Sequence, residues 1–386
     1  MKLPASLQFA ARTAGAARTF DTPRRASNSR AVFRFLAALA ALLFFPPLRA
    51  AEQQGPAAVP AVPATSVIYS ADDALALDQL EENPAVTRRM VDSLVLAVTQ
   101  QPDLARAWRS LVSPTDHVGI KVCAAGGRYF ASHRGIVEAV VAGLAEAGVP
   151  PAHVIVWDRD ADDLRASGFS TQRGGYQLRS IAPVTGYDRA APLTAPTLGK
   201  LIWGDLLFQD PGARSGKRAT AADQLSSTSH VASVVSREVT KIINIPVLSD
   251  ESGCGVAGAL YNMTVPNVDN WRRFTQLEGG ADAIPDVYAD ANLGPKVVLT
   301  IMDALRPQYA GGPQFNPNYA FSWHMIYASK DPVALDAHAF RLIEGWRKEA
   351  KLPPIGKRAA WLEGAAQSGL GNFAEGKIAV RPVEAK

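Results

Sequence analysis

The chain has 386 residues, enough for one large domain or two ordinary ones, and its 47% hydrophobic and 20% charged content is that of a globular protein. The net charge of +4 is a poor guide to partners: residues 1–51 carry eight Lys/Arg against Asp21 alone, +7, so residues 52–386 sum to −3. That mildly acidic body gives no electrostatic reason to expect nucleic acid as a partner, and two cysteines make neither a disulfide scaffold nor the roughly four thiolates of an iron–sulfur cluster.

The basic segment leads into Phe35–Phe45, an apolar run too short to span a membrane comfortably and about right for a signal core, followed by Pro46-Pro47 and small residues at Ala50-Ala51. Residues 1–51 are read as an export signal, so membrane contact is expected only during export. Arg24-Arg25 lacks the aromatic-Leu continuation of a twin-arginine leader, which favours the Sec route. Export predicts a periplasmic or extracellular location. Residues 52–66, rich in Ala and Pro, read as a tether, and a domain follows over 67–386.

Within that domain, Met90, Val91, Leu94, Val95 and Val98 predict a helix over Arg88–Gln100. His117–Cys123 reads as a strand, Ser132–Ala147 as a helix stopped by Gly148, and Val154–Trp157 as a second strand closing on Asp158. A strand–helix–strand crossover of this length predicts a parallel sheet. Residues 160–230 are irregular and suggest an insertion or smaller lobe, with a β-ribbon around Tyr176–Val184. Lys241–Leu248 predicts a buried strand and Ser249–Ser252 a polar turn. Ala259–Met263 predicts a short helix, Lys296–Met302 a strand ending at Asp303, and Asp331–Ala350 and Arg358–Gln367 helices. The fold class is α/β, a mostly parallel sheet flanked by helices with an irregular insertion or smaller lobe.

Chemistry is expected beyond the carboxyl ends of the strands. Lys121, inside an apolar strand, must reach solvent, pair with an acid or face a ligand. His133 opens a helix after Gly126-Gly127, where its imidazole either contacts a ligand or simply follows the Ser132 cap. Asp158 is a ligand contact or a loop residue. Gly253-x-Gly-x-x-Gly258 matches the dinucleotide fingerprint in form, but it starts five residues after the strand and lacks the following strand. It reads instead as a tight loop whose backbone at Gly253, Cys254 and Gly255 approaches a ligand, with helix N–H groups behind it. Asn262 on that helix offers an amide to a ligand or caps a neighbour. Asp331-Pro332 reads as a helix cap and first residue. Asp336, among apolar helix residues, needs a cation or donors, Lys121 being one partner to consider. The six histidines show no metal spacing. The metal is left unassigned, and a set such as His133, His324 and Asp303 stays open. Cys123 and Cys254 are open to pairing or to a free reactive thiol.

The succession Val118–Val122, Ser132–Val141 with Glu146-Ala-Gly148, Val154–Asp158, Ile243–Pro246, Gly255–Asn262 and Ala328–Asp336 resembles the domain of unknown function 362 family over roughly residues 85–350. The resemblance implies an α/β fold, frequent association with iron–sulfur centres, and export, with no assigned reaction. A redox partner is admitted on that ground, although this chain has no self-contained iron–sulfur cluster motif. Ser249-Asp-Glu stands where the family pattern carries Lys-Thr-His, and Tyr261-Asn262 where it carries Lys-Asn, which disfavours a strongly anionic ligand at that loop.

The sequence therefore predicts one polar pocket lined by Lys121, Asp158, Asn262, Asp303 and Asp336, with His133 and Cys254 at its rim. In an enzyme of redox or isomerase type acting on a small polar ligand, Lys121 would stabilise negative charge, and Asp303 or Asp336 would act as acid/base or metal ligand. The competing reading is a non-catalytic periplasmic binding or accessory protein using the same pocket.

Overall fold

A computed structural model describes residues 62–171, 174–182, 184–200, 225–275 and 280–385. The expected export signal and residues 52–61 of the tether lie outside them. In chain order the first elements are β1 (Ser66–Asp72), β2 (Leu77–Asp78), β3 (Glu81–Glu82), α1 (Pro84–Thr99), α2 (Leu104–Arg109), β4 (Val118–Val122), α3 (Arg134–Glu146), β5 (Val154–Asp160), α4 (Ala161–Ala166) and β6 (Gln177–Ala182). They continue with β7 (Tyr187–Lys200), β8 (Leu225–Ala232), β9 (Lys241–Ile245), β10 (Val247–Glu251), β11 (Gly255–Val256), α5 (Ala259–Thr264) and α6 (Ile284–Tyr288). The last are β12 (Val297–Gln308), β13 (Met325–Ser329), α7 (Pro332–Glu349), α8 (Trp361–Gln367) and β14 (Ile378–Val383).

The main sheet runs β14-β1-β13-β12-β9-β4-β5-β6, with β10 joined to β12 and β11 to β10. From β12 through β9, β4 and β5 to β6 every pairing is parallel, whereas β13 is antiparallel to both β12 and β1. This is the α/β architecture that the strand–helix–strand pattern predicts.

Two apolar layers cover the sheet. On one face α1 and α3 pack Met90, Leu94, Ile136 and Val140 against Ile120, Val122, Ile243 and Ile301. The other face buries Trp157, Ile242 and Met302 under Leu260 and Met263 of α5 and Val333 and Leu335 of α7. Helix ends follow local chemistry: Pro84 opens α1, Gln100 closes it in the left-handed conformation, and Asp331 caps α7 by accepting from the Ala334 N–H.

Three differences from the sequence reading bear on the site. The run Lys241–Leu248 is two strands, because Pro246 has no N–H to continue the ladder. β12 runs past Asp303 to Gln308, since β10 replaces β9 as its parallel neighbour, with the Asp303 N–H donating to Pro246 O at 2.8 Å. Ser249–Glu251, expected as a turn, belongs to β10 and pairs with β11 in a short hairpin. In the irregular region β6 joins the edge of the main sheet, and the ribbon is formed later, by β7 and β8. Among the described residues no helix is long and apolar enough to cross a membrane.

Candidate functional site

Lys121 is the centre of a closed polar network. Its side chain is 0% exposed, and its ammonium donates to Asp158 Oδ1 at 2.6 Å, Val122 O at 2.7 Å and Asn262 Oδ1 at 3.1 Å. An ammonium has three N–H groups, so none remains for a ligand. The sequence reading gave Lys121 the task of stabilising charge on a substrate; the charge it meets is that of Asp158. That carboxylate also accepts from the Arg159 N–H at 2.7 Å and, through Oδ2, from the Ala124 N–H at 2.6 Å, tying together the ends of β4 and β5.

The network continues through amides. Because Lys121 can only donate, Asn262 presents its oxygen there and turns its Nδ2 to Asn244 Oδ1 at 2.8 Å; Asn244 Nδ2 in turn donates to Ala259 O at 2.9 Å. Asn267 donates to the carbonyls of Asn262 and Met263 and accepts from Trp157 Nε1 at 2.9 Å. Asn244 and Asn267 were not singled out from the sequence. Asn244 left a signal, a lone amide inside the apolar strand KIINI.

Asp336 adjoins this network from α7. Its oxygens accept from the Ala259 N–H at 2.5 Å and the Leu260 N–H at 2.9 Å, the first free donors of α5. The strand–loop–helix platform read from the sequence thus does hold an anion, but the anion is the protein's own carboxylate. Gly258 is needed for that approach, because a Cβ there would collide with Asp336 Oδ1. Burial is the main effect on this carboxyl, raising it to about 7 against the two N–H donors. Lys121 makes no bond to Asp336; it is paired with Asp158 instead.

The loop after β10 is likewise satisfied internally. Glu251 Oε2 accepts from the Gly253 N–H at 2.6 Å and the Cys254 N–H at 2.5 Å, and the indole of Trp361 donates to Cys254 O at 2.8 Å. Gly255 has φ +84°, and a Cβ on Gly253 would strike the Thr275 carbonyl, so both glycines serve close packing. Cys254 is 0% exposed and lies in the core rather than at a rim. Burial pushes its thiol well above the ordinary range. Cys123 is also a free thiol, pushed up to about 12 first by burial and then by Asp158. The two do not form a disulfide.

His133 and Asp303 form the remaining cluster. One carboxylate oxygen, Asp303 Oδ2, meets both His133 Nδ1 and the His133 backbone N–H, each at 2.7 Å, while Oδ1 accepts from the Leu305 N–H at 3.1 Å. Asp303 is 1% exposed and the imidazole 11%, so the carboxylate is sealed and the ring reaches solvent. Burial opposes charging the ring, yet Asp303 and, beyond it, Glu82 hold it above its ordinary 6.5. Ser132 connects this pair to the Lys121 network: its hydroxyl donates to Ile245 O at 2.6 Å and accepts from the Cys123 N–H at 2.8 Å. His324 is not part of the pair. Among the described residues no three His, Cys, Asp or Glu side chains are grouped to hold a metal ion.

Of the residues expected from sequence, the structure therefore gathers Lys121, Asp158 and Asn262, adjoins Asp336 through Ala259, and sets His133 on Asp303. It leaves Gly253, Cys254 and Gly255 in a separate packed hairpin.

Among solved structures, a crystal structure of a Thermotoga maritima protein resembles this one with 9% sequence identity and a TM-score of 0.37, over 72% of this chain and 61% of that one. A comparison with curated proteins gives no match. The family model described as "Domain of unknown function (DUF362)" matches residues 118–341, a span that takes in β4, the Lys121 network, both Asp303 and Asp336, and most of α7; the chain belongs to that family.

Proposed function

We propose that this chain is an exported acid–base enzyme of isomerase type acting on a small polar substrate, with His133 moving the proton. The observation that carries the reading is the geometry of His133 on Asp303. Nδ1 and the backbone N–H share one buried carboxylate oxygen, which fixes the ring and leaves Nε2 as the ring nitrogen that Asp303 does not engage, on a side chain that is 11% exposed. A ring oriented by a sealed carboxylate, and held by it above its ordinary 6.5, is suited to accept and return a proton. Lys121, Asp158, Asn262 and Asp336 then act as a rigid frame, since their polar atoms are bound to one another and to backbone groups.

Solvent-proton exchange tests this. The protein is incubated in deuterated buffer with a panel of small hydroxy acids, amino acids and sugars, and deuterium incorporation is followed by NMR. Exchange with one compound class that falls about 100-fold or more in His133→Gln supports the reading. Exchange unaffected by His133→Gln refutes it. Binding of a compound without exchange, equal in both proteins, supports the non-catalytic binding role. Export rests on the basic and apolar pattern of residues 1–51 and is tested by the N-terminal mass of the protein recovered outside the cytoplasm.

A further inference from the structure

Arg159 follows Asp158 at the carboxyl end of β5, the edge of the sheet on which Lys121 and Cys123 also terminate. Its half-buried guanidinium lies over the ring of Trp271, 4.2 Å from the centroid. Arg272, the next residue after that tryptophan, places a second half-buried guanidinium 5.3 Å from the same centroid. The two cations are therefore no farther apart than about 10 Å, a Debye length at 0.1 M salt.

Other half-buried and buried arginines of the fold have acceptors. Arg134 donates to the carbonyl of Gly168, Arg306 to those of Gln79 and Tyr129, and Arg347 to those of Pro353 and Tyr309. Among the described residues neither Arg159 nor Arg272 has an acceptor for its guanidinium. The indole Nε1 of Trp271 is buried and also lacks one. Stacking occupies only the face of a guanidinium and leaves its in-plane N–H fork free to bind. One ring thus gathers two like charges whose in-plane donors have no hydrogen-bond acceptor among the described residues. Arg159 also acts on the nearby Asp163 carboxyl, but the mutual repulsion of the two guanidinium groups is relieved by an anion or solvent between them. The location agrees with the rule that open parallel sheets take ligands at their carboxyl edge. Tyr261 of α5 lies close enough for the charge of Arg159 to act against the burial that raises its phenol.

We infer that Arg159, Arg272 and Trp271 form a binding site for a small oxyanion, a carboxylate or phosphate group, gripped by the two guanidinium forks with the indole as their platform. This is an anion site separate from the loop at Ser249–Ser252, where the sequence lacks basic residues. It does not depend on proton transfer by His133, so the two readings fail separately.

The test is calorimetric titration of the full chain at low ionic strength with inorganic phosphate and, separately, with acetate. One or both probes are expected to bind at one site per chain, more weakly as sodium chloride is added. Arg159→Gln and Arg272→Gln should each weaken binding roughly tenfold or more, and the double variant should abolish it. Phosphate alone binding assigns a phosphate ligand; acetate binding assigns a carboxylate. His133→Gln should leave both affinities unchanged. Arg272→Lys, which keeps the charge and loses the fork, guards against loss of fold as an explanation and should bind more weakly than the wild type but better than Arg272→Gln. Absence of binding by either probe to the wild type, or equal binding by the double variant, overturns the inference.

Discussion

Replacing Lys121 by Met offers the sharpest test of the buried network. Methionine keeps most of the stem, so the cavity left behind is small, and the change is chiefly electrostatic. Three acceptors lose a donor. Asp158 retains the N–H groups of Ala124 and Arg159, but Val122 O and Asn262 Oδ1 lose the ammonium. Leaving a buried carboxylate without its cation costs about 3–5 kcal/mol. A buried amide oxygen left unpaired costs about 1–3 kcal/mol more, part of which overlaps because the groups share one network. A total near 5 kcal/mol is comparable to the whole stability of many domains. Urea unfolding at neutral pH, followed by circular dichroism, measures it. Adding Asp158→Asn should recover about 2 kcal/mol or more, since the stranded charge is then gone. Arg165 and Asp162 supply the control: their ion pair has the same 2.6 Å length, but the side chains are 76% and 83% exposed. Arg165→Ala should change stability by nothing measurable. If Lys121→Met costs under about 1 kcal/mol, or the double variant is no better than the sum of its parts, the network is not the closed frame described above.

Other expectations are briefer. The His133 ring should titrate above 6.5 by NMR, and Asp303→Asn should bring the midpoint down. Because that folded-state pKa is raised, the stability His133 contributes is fully present below 6.5 and is lost as pH rises through the elevated value, so the gap in unfolding free energy between wild type and His133→Gln should narrow over that window. Asp336, raised from 3.8 to about 7, has the same sign: its contribution is complete below 3.8 and lost as pH climbs through about 7. Unfolding of Asp336→Asn between those limits should lack that slope while the protein is weaker by about 1–3 kcal/mol, since the amide sets an NH2 donor where one of the two carboxyl oxygens accepts an α5 N–H. Gly258→Ala should destabilise by about 1–3 kcal/mol through collision with the same carboxylate. A thiol reagent should find both cysteines slow in the native protein and fast in denaturant, as their raised thiols require.

What was legible in the sequence was mostly what apolar spacing controls. The strand at Val118–Val122, the helix behind it and the strand at Val154 are as the pattern predicts, because each has one buried face. Lys241–Leu248 misled because its apolar run is continuous through Pro246, and only the ladder reveals that a residue without an N–H breaks it. The demand of Asp336 for donors was visible, but the donors are backbone amides of α5, which no side-chain pattern encodes. His133 and Asp303 were both picked out, 170 residues apart, yet their pairing depends on β12 running beside β9 and β10. The glycine loop failed for a different reason. Its free N–H groups were real in the sequence, and Glu251, two residues before Gly253, absorbs them.

The position of β1 has a consequence for how the molecule is made. Ser66 faces Ile378 and Tyr69 faces Ala328, so among the described residues the first strand of the sheet is paired with β13 and β14, two of the last. On a ribosome β1 emerges long before either neighbour, and pairings this distant in sequence are slow to form. Until β13 and β14 appear, the nascent chain carries an open strand and an unfinished sheet. Such a chain remains available to an unfoldase, a holding chaperone or a translocation channel, and locks only when its final strand docks.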